Sequence, residues 1–338
     1  MKNKFFHPVK IGKITIQGNL FLAPLAGFTD RAFRSVCISK GASFTFSEMV
    51  SAEALARGSE KTVSLMRRAE NEKQLGIQIF LSNADTAKRA LPEILKVNPT
   101  VIDINCGCPV PKVVKNGAGS ALMQNPKKIE EIISVLTDNT DIPITVKFRT
   151  GWDLDSINYL DFAESAVKGG ASLLTMHART RSQGYSGEAD WNSLKKLKSN
   201  FDIPVIGSGN VFCAEDALHM LETTEVDGVL FARGAIGNPF IFEKTRLLLQ
   251  GKDTGKKENI NERINTAMEH LSLSIHYKGE TAACREMKKQ LCSYTKGQEG
   301  SAALRNRIVR AETTEEYKEI LNEYLSVKAR HALPQRLG

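Results

Sequence analysis

Cysteine is scarce in this chain. Its six copies in 338 residues (Cys37, Cys106, Cys108, Cys213, Cys284 and Cys292) are too few and too scattered for a disulfide scaffold. None stands in the Cys-x-x-Cys spacing that suits zinc, so a reducing, cytoplasmic setting and no metal site are expected. Long apolar runs are missing as well. No stretch reaches the roughly 18 residues that span a bilayer, and the basic N-terminus (Lys2, Lys4) lacks the unbroken apolar segment of a signal peptide. A membrane is therefore not an expected partner, and no obligate protein partner is evident. Acidic residues are also in deficit, 38 Asp and Glu against 46 Lys and Arg, for a net charge of +8 and a pI near 9.1. An excess of that sign favours a polyanionic partner. It is concentrated between Lys278 and Arg310, where eight Lys or Arg meet three Glu.

Short β-rich apolar runs alternate with helical patterns, the signature of βα units around a parallel sheet. Strands are expected at Leu20 to Ala23, Ser43 to Ser47, Leu75 to Phe80, Val101 to Asn105, Ile144 to Arg149, Leu173 to His177, Val205 to Gly207 and Gly228 to Ala232. Eight such units predict an α/β (β/α)8 TIM barrel, which takes about 250 residues. Before it, Val9 to Ile11 and Ile14 to Ile16 flank Gly12-Lys13 and read as a hairpin over the barrel bottom. Asp30, Asp85, Asn125, Asp155, Asp190 and Asn238 stand near helix starts and are candidate caps. The run Gly251 to Gly255 reads as a linker, and the chain beyond about Ile260 reads as helical. The expected units are thus a barrel with its hairpin over 1–250 and a C-terminal helical domain over 256–338.

In such barrels function collects at the strand C-termini. Polar residues stand at nearly every one: Ser47-Glu48, Gln78, Asn105 to Cys108, Lys147 with Arg149, His177 with Arg179, Gly207 to Asn210, and Arg233-Gly234. The loops after the seventh and eighth strands, Gly207-Ser208-Gly209-Asn210 and Arg233-Gly234-Ala235, offer free backbone N–H groups and a cation, the usual phosphate seat of the fold. A phosphate-bearing cofactor is the expectation. The stretch Asp103-Ile-Asn-Cys-Gly-Cys-Pro109 places thiols on a strand-to-helix loop. No Cys-His-Asn arrangement for nucleophilic catalysis is readable around it.

That loop, in the pattern Asn-x-Gly-Cys-Pro followed by Lys112, Gly117 and Gly119, resembles the active-site loop of the tRNA-dihydrouridine synthases. Ala-Pro-Leu-Ala-Gly-Phe-Thr-Asp (23–30), Ser-Glu-Met-Val (47–50), Lys-Phe-Arg-Thr-Gly-Trp (147–152), His-Ala-Arg-Thr-Arg (177–181) and Ala-Arg-Gly-Ala-Ile-Gly-Asn-Pro (232–239) are similar to family motifs in family order, and most like the bacterial B-type branch. The resemblance implies an FMN enzyme in which NADPH or NADH reduces the flavin and the flavin reduces the C5=C6 bond of a D-loop uridine in tRNA. It implies that Pro24, Leu25 and Ala26 pack on the flavin ring, that Gln78 hydrogen-bonds it and that His177 lies in its pocket. Lys147 then faces the N1–C2=O edge, and Ser208, Gly209, Asn210, Ala232 and Arg233 hold the phosphate.

Cys108 is then the acid that protonates C5, since a thiol near its ordinary pKa of about 8.5 is mostly protonated at neutral pH. Cys106 is read as packing. In the tail, the spacing of Arg285, Lys288, Lys289 and Lys296 predicts cations along one helical face, placed for tRNA phosphates. The alternative reading is a small-molecule FMN oxidoreductase of the dihydroorotate dehydrogenase type, for which a basic helical tail has no use.

Overall fold

The structure is a computed structural model that describes residues 5–255 and 258–332. Eleven strands alternate with helices through residue 249. β1 (Val9–Ile11) and β2 (Ile14–Ile16) form an antiparallel hairpin. Parallel strands then follow: β3 (Leu20–Leu22), β4 (Phe44–Thr45), β5 (Val50–Ser51), β6 (Gly76–Phe80), β7 (Val101–Cys106), β8 (Ile144–Arg149), β9 (Leu173–His177), β10 (Val205–Ser208) and β11 (Gly228–Phe231). Their lateral order is β4-β3-β11-β10-β9-β8-β7-β6-β5. β4 pairs with β3 on one side, and Phe46, just past the end of β4, bridges to Gly76 of β6 on the other. The ring therefore closes, with β4 and β5 as two pieces of one stave, and nine strands make the eight-stave barrel.

Two apolar layers follow from strand alternation. Val101, Leu173, Ile206 and Leu230 point inward and join Val9, Ile11 and Ile16 of the hairpin in one cluster, so the hairpin stoppers the barrel bottom as expected. Ile102, Ile104 and Cys106 point outward into the larger cluster shared with the helices. Cys106 is thus packing between β7 and the helix layer. Of the candidate caps, Asp30, Asn125 and Asp190 accept backbone N–H bonds at helix starts. The helix expected at Asp85 starts one residue earlier and is capped by Asn83, whose side chain accepts from Thr86 N. Asp155 and Asn238 do not cap: the nearby helices begin at Tyr159 and Ile241, with no side-chain cap.

Beyond the linker lie helices Ile260–Lys278, Glu280–Tyr294, Ser301–Ile308 and Thr314–Ala332, around an apolar cluster of their own that includes Leu271, Met287, Leu291 and Tyr317. The expected unit boundary at 256, the ends at 1–4 and 333–338, and Lys2 and Lys4 lie outside the described residues. No described helix is long and apolar enough to cross a membrane.

The helical unit docks on loops at the strand C-termini. Lys278 Nζ meets Asp30 Oδ2 at 2.5 Å, Gln290 Nε2 donates to Phe28 O at 2.8 Å, and Arg263 Nη2 donates to Gly237 O at 3.0 Å. Gly237 has φ +67, and a Cβ there would lie 2.3 Å from Ser293 C, so only glycine permits this approach. Lys278 is thereby spent on Asp30 and Glu286, and it does not count among cations free for a ligand.

Candidate active site

The strand exits surround a cavity of about 350 Å³. Of the sequence-predicted residues, Pro24, Leu25, Ala26, Cys108, Lys147, His177, Ser208, Gly209, Asn210, Ala232 and Arg233 line it. Gln78 does not. It is fully buried one layer beneath, with Nε2 donating to Asp103 Oδ2 at 2.7 Å and Oε1 accepting from Asn105 Nδ2 at 2.8 Å. One Nε2 hydrogen is left for another acceptor.

The loop that carries Cys108 is shaped by Asn105. The last inward residue of β7, it receives the N–H of Gly107 at 3.1 Å and of Cys108 at 2.9 Å on Oδ1. Arg149 holds the same turn from β8, its Nε donating to Gly107 O at 2.8 Å while Nη1 reaches Thr180 O at 2.9 Å. Gly119 lies against Cys108, its φ is +61, and a Cβ there would approach Cys108 O to 2.8 Å. Gly119→Ala is therefore expected to lower stability by about 1–3 kcal/mol through left-handed strain and overpacking, read as a shift in denaturation midpoint. Cys108 is 8% exposed. Burial pushes its thiol pKa up against the opposing pull of the Val110 backbone, Arg149 and Lys147, so it stays protonated at neutral pH.

His177 is neutral. Burial first, then the charges of Lys147, Arg149, Arg179 and Arg233, push its pKa down to about 2. Arg179 Nη1 lies 3.2 Å from His177 Nε2, and since a guanidinium only donates, Nε2 accepts and the ring proton sits on Nδ1. Arg179 also donates to Asn210 Oδ1 at 2.6 Å, holding the turn after β10.

Lys147, Arg149 and Arg233 all open on the cavity, and none has a carboxylate within 4.0 Å among the described residues. Burial, then the neighbouring Arg149, pushes the Lys147 pKa down to about 8. Arg233 is exposed, and its guanidinium lies 4.4 Å from the Tyr185 ring and 5.3 Å from that of Phe212. Three cations without counter-ions among the described residues, in one cavity with the β10 and β11 turns and the apolar Pro24-Leu25-Ala26 wall, make a site for an anionic ligand with a flat apolar part. Those features fit the phosphate and ring of FMN.

Sequence reading placed Arg149 at a strand exit without giving it a role, and it missed Tyr185 and Phe212 as site residues. Arg149 had a signal, since it stands two residues after Lys147 and shares its inward face. Tyr185 and Phe212 lie in loops with no periodicity to place them.

Around the mouth, Lys289 of the Glu280–Tyr294 helix reaches the barrel, its Nζ lying 4.6 Å from the ring of Phe28, a cavity residue. Arg285, Lys288 and Lys289 share that helix. Lys296 does not, because the helix ends at Tyr294, so the expected single helical face carries three of the four cations.

The family model for dihydrouridine synthase matches residues 21–330. A probable tRNA-dihydrouridine synthase of Treponema pallidum (strain Nichols) is 41% identical over 95% of this chain and 97% of its own length. The tRNA-dihydrouridine synthase B of Vibrio cholerae is 34% identical over 94% of this chain and 98% of its own length. Among solved structures, an old yellow enzyme homologue from Zymomonas mobilis superposes with a TM-score of 0.51 at 13% identity, covering 78% of this chain and 95% of that one. A 6-hydroxypseudooxynicotine amine oxidase from Pseudomonas geniculata N1 does so with a TM-score of 0.60 at 14% identity, covering 81% and 55%. These structural likenesses establish the barrel fold, and the match along the sequence establishes more: the chain belongs to the dihydrouridine synthase family.

Proposed function

We propose that this protein reduces a D-loop uridine of tRNA to dihydrouridine, with FMN in the barrel cavity and NADPH or NADH as the reductant. The observation that carries this reading is that the protonated Cys108 thiol and the cations of Lys147, Arg149 and Arg233 open on one cavity, in a chain of this family. The chemistry FMN supplies when bound is two-electron transfer as hydride. Pro24, Leu25 and Ala26 would wall its ring, and Lys147 would neutralise its pyrimidine edge. Ser208, Gly209, Asn210, Ala232 and Arg233 seat its phosphate, and neutral His177 offers Nδ1–H.

Reduction of the uracil C5=C6 bond adds hydride at C6 and a proton at C5. Cys108 supplies the proton, a role that a thiol held in its protonated form by burial fills at neutral pH. The base must leave its stack to reach the thiol. Exposed Arg285, Lys289 and Lys296 and half-buried Lys288, on the unit proposed to span 256–338, take the tRNA phosphates while the barrel over 1–250 takes the base. A small-molecule substrate of the dihydroorotate type needs no such unit, and the family match argues against it.

The protein is expected to purify yellow and to form dihydrouridine in unmodified tRNA. Arg233→Ala is expected to weaken FMN retention, whereas Lys147→Ala lowers the flavin potential and slows reduction with FMN still bound. Flavin occupancy and redox titration check both, and unchanged values in the two variants would remove these residues from the cofactor site.

A further inference from the structure

Inside the barrel, beneath the cavity floor, lies a continuous chain of polar side chains whose direction is set at one end. Asp103 is 1% exposed. Its Oδ1 accepts from Thr145 Oγ1 at 2.6 Å and its Oδ2 from Gln78 Nε2 at 2.7 Å. Burial raises the Asp103 pKa to about 6, still below neutral, so at pH 7 its carboxylate is mostly ionised and only accepts, and the Gln78 amide turns its NH2 towards Asp103 and its oxygen away. That oxygen, Oε1, receives Asn105 Nδ2 at 2.8 Å, which in turn leaves Asn105 Oδ1 facing the N–H groups of Gly107 and Cys108. With the Asn105 amide reversed, two backbone donors would face an NH2, and the turn that aims the thiol would lose both bonds. The register of the strands makes the relay possible: Gln78 pairs with Asp103 and Asp103 with Thr145, so the three inward side chains lie in one row across β6, β7 and β8.

We infer that Asp103 is a positioning residue for Cys108: through Gln78 and Asn105 it dictates the conformation of the Gly107–Cys108 backbone and hence the direction of the thiol. The inference rests on Cys108 being the proton donor, and it assigns a catalytic consequence to a side chain that touches neither thiol nor cavity. Buried polar networks of this kind specify a single arrangement only when every member is satisfied. Asparagine at 103 can keep its oxygen towards Gln78 and give its NH2 to the Thr145 hydroxyl, which is able to accept, so it preserves the relay. Alanine cannot.

The test compares Asp103→Ala and Asp103→Asn with the wild type in full-length, flavin-loaded protein. Three quantities are read: the iodoacetamide alkylation rate at Cys108 by peptide mass spectrometry, the single-turnover rate of uridine reduction by pre-reduced enzyme at saturating tRNA, and the NADPH half-reaction. Misplacing a catalytic group by about 1 Å costs on the order of 10²-fold. Asp103→Ala is expected to lose about that much in single turnover, to change the alkylation rate several-fold, and to keep the NADPH half-reaction. Asp103→Asn stays close to wild type in all of them. Should the alanine variant not fold, Asp103→Leu, which fills the barrel layer with apolar volume, takes its place with the same expectations. The inference is overturned if the apolar variant aligns with wild type in alkylation and single turnover, or if a folded Asp103→Asn loses as much as the apolar variant. A wild-type protein that retains no FMN would defeat the cofactor reading instead, and the alkylation contrast would still report on the relay.

Discussion

Cys108→Ala is expected to retain FMN and to be reduced by NADPH at the wild-type rate, while its uridine reduction falls by about 10² to 10⁴, the usual worth of a general acid. The two half-reactions separate because Cys108 borders the cavity without holding any of its cations, so removing the thiol leaves the cofactor seat intact. Stopped-flow measurement of flavin reduction, followed by oxidation with unmodified tRNA, checks the split. The pH profile sharpens it. The donor must be protonated, so activity carried by this thiol is lost as pH rises through its pKa, and burial places that pKa above the ordinary thiol value. The oxidative half-reaction is therefore expected to stay flat from about pH 7 to about pH 8, above the value of about 6 to which burial raises Asp103, and to fall beyond it. A fall centred between about pH 6 and 7 would point to an imidazole, a role that His177 with its pKa pushed down to about 2 does not fill. Near wild-type turnover in Cys108→Ala, with a large drop in Cys106→Ala, would transfer the acid role to a thiol that faces the helix layer.

Replacement of Arg285, Lys288 and Lys289 together by alanine is expected to weaken tRNA binding and to flatten its dependence on salt. Each phosphate that is no longer neutralised reduces the log-log slope by roughly 0.7 to 0.9, so three of them remove about two units or somewhat more. FMN binding and NADPH oxidation persist, except for a modest effect at Lys289, whose ammonium lies over Phe28 in the cavity wall. Lys296 acts separately, beyond the end of the helix, and its single replacement is expected to take away one increment of slope. Filter binding across a salt series measures both, and a triple variant of unaltered affinity and slope would leave these cations as solvated surface.

The relation between the chain and its site is clearest at β7. Alternation along Val-Ile-Asp-Ile-Asn-Cys settles which residues look inward, and it separates Cys106, which packs outward, from the loop thiol at Cys108. Barrel, hairpin and helical tail were legible for the same reason, because apolar periodicity and turn residues act over a few neighbours. Helix starts were legible less often. Asn83 rather than Asp85 caps its helix, a choice between nearby short polar side chains that depends on where the preceding loop delivers the chain.

What the linear order determined is therefore the set of strands, the ends at which polar groups collect, and the identity of eleven of the residues that line the cavity. Folding alone decided which of them meet. The Arg233 stack on Tyr185 and Phe212 joins three loops, and the relay from Thr145 through Asp103 and Gln78 to Asn105 crosses three strands. The docking of the basic helix beside Phe28 depends on Gly237, a barrel-loop residue far from Ser293 in sequence. The physical reason is one of range: dihedral preference and periodicity are properties of neighbouring residues, whereas hydrogen-bond direction, burial and the field at a thiol are sums over side chains that the closed barrel brings together.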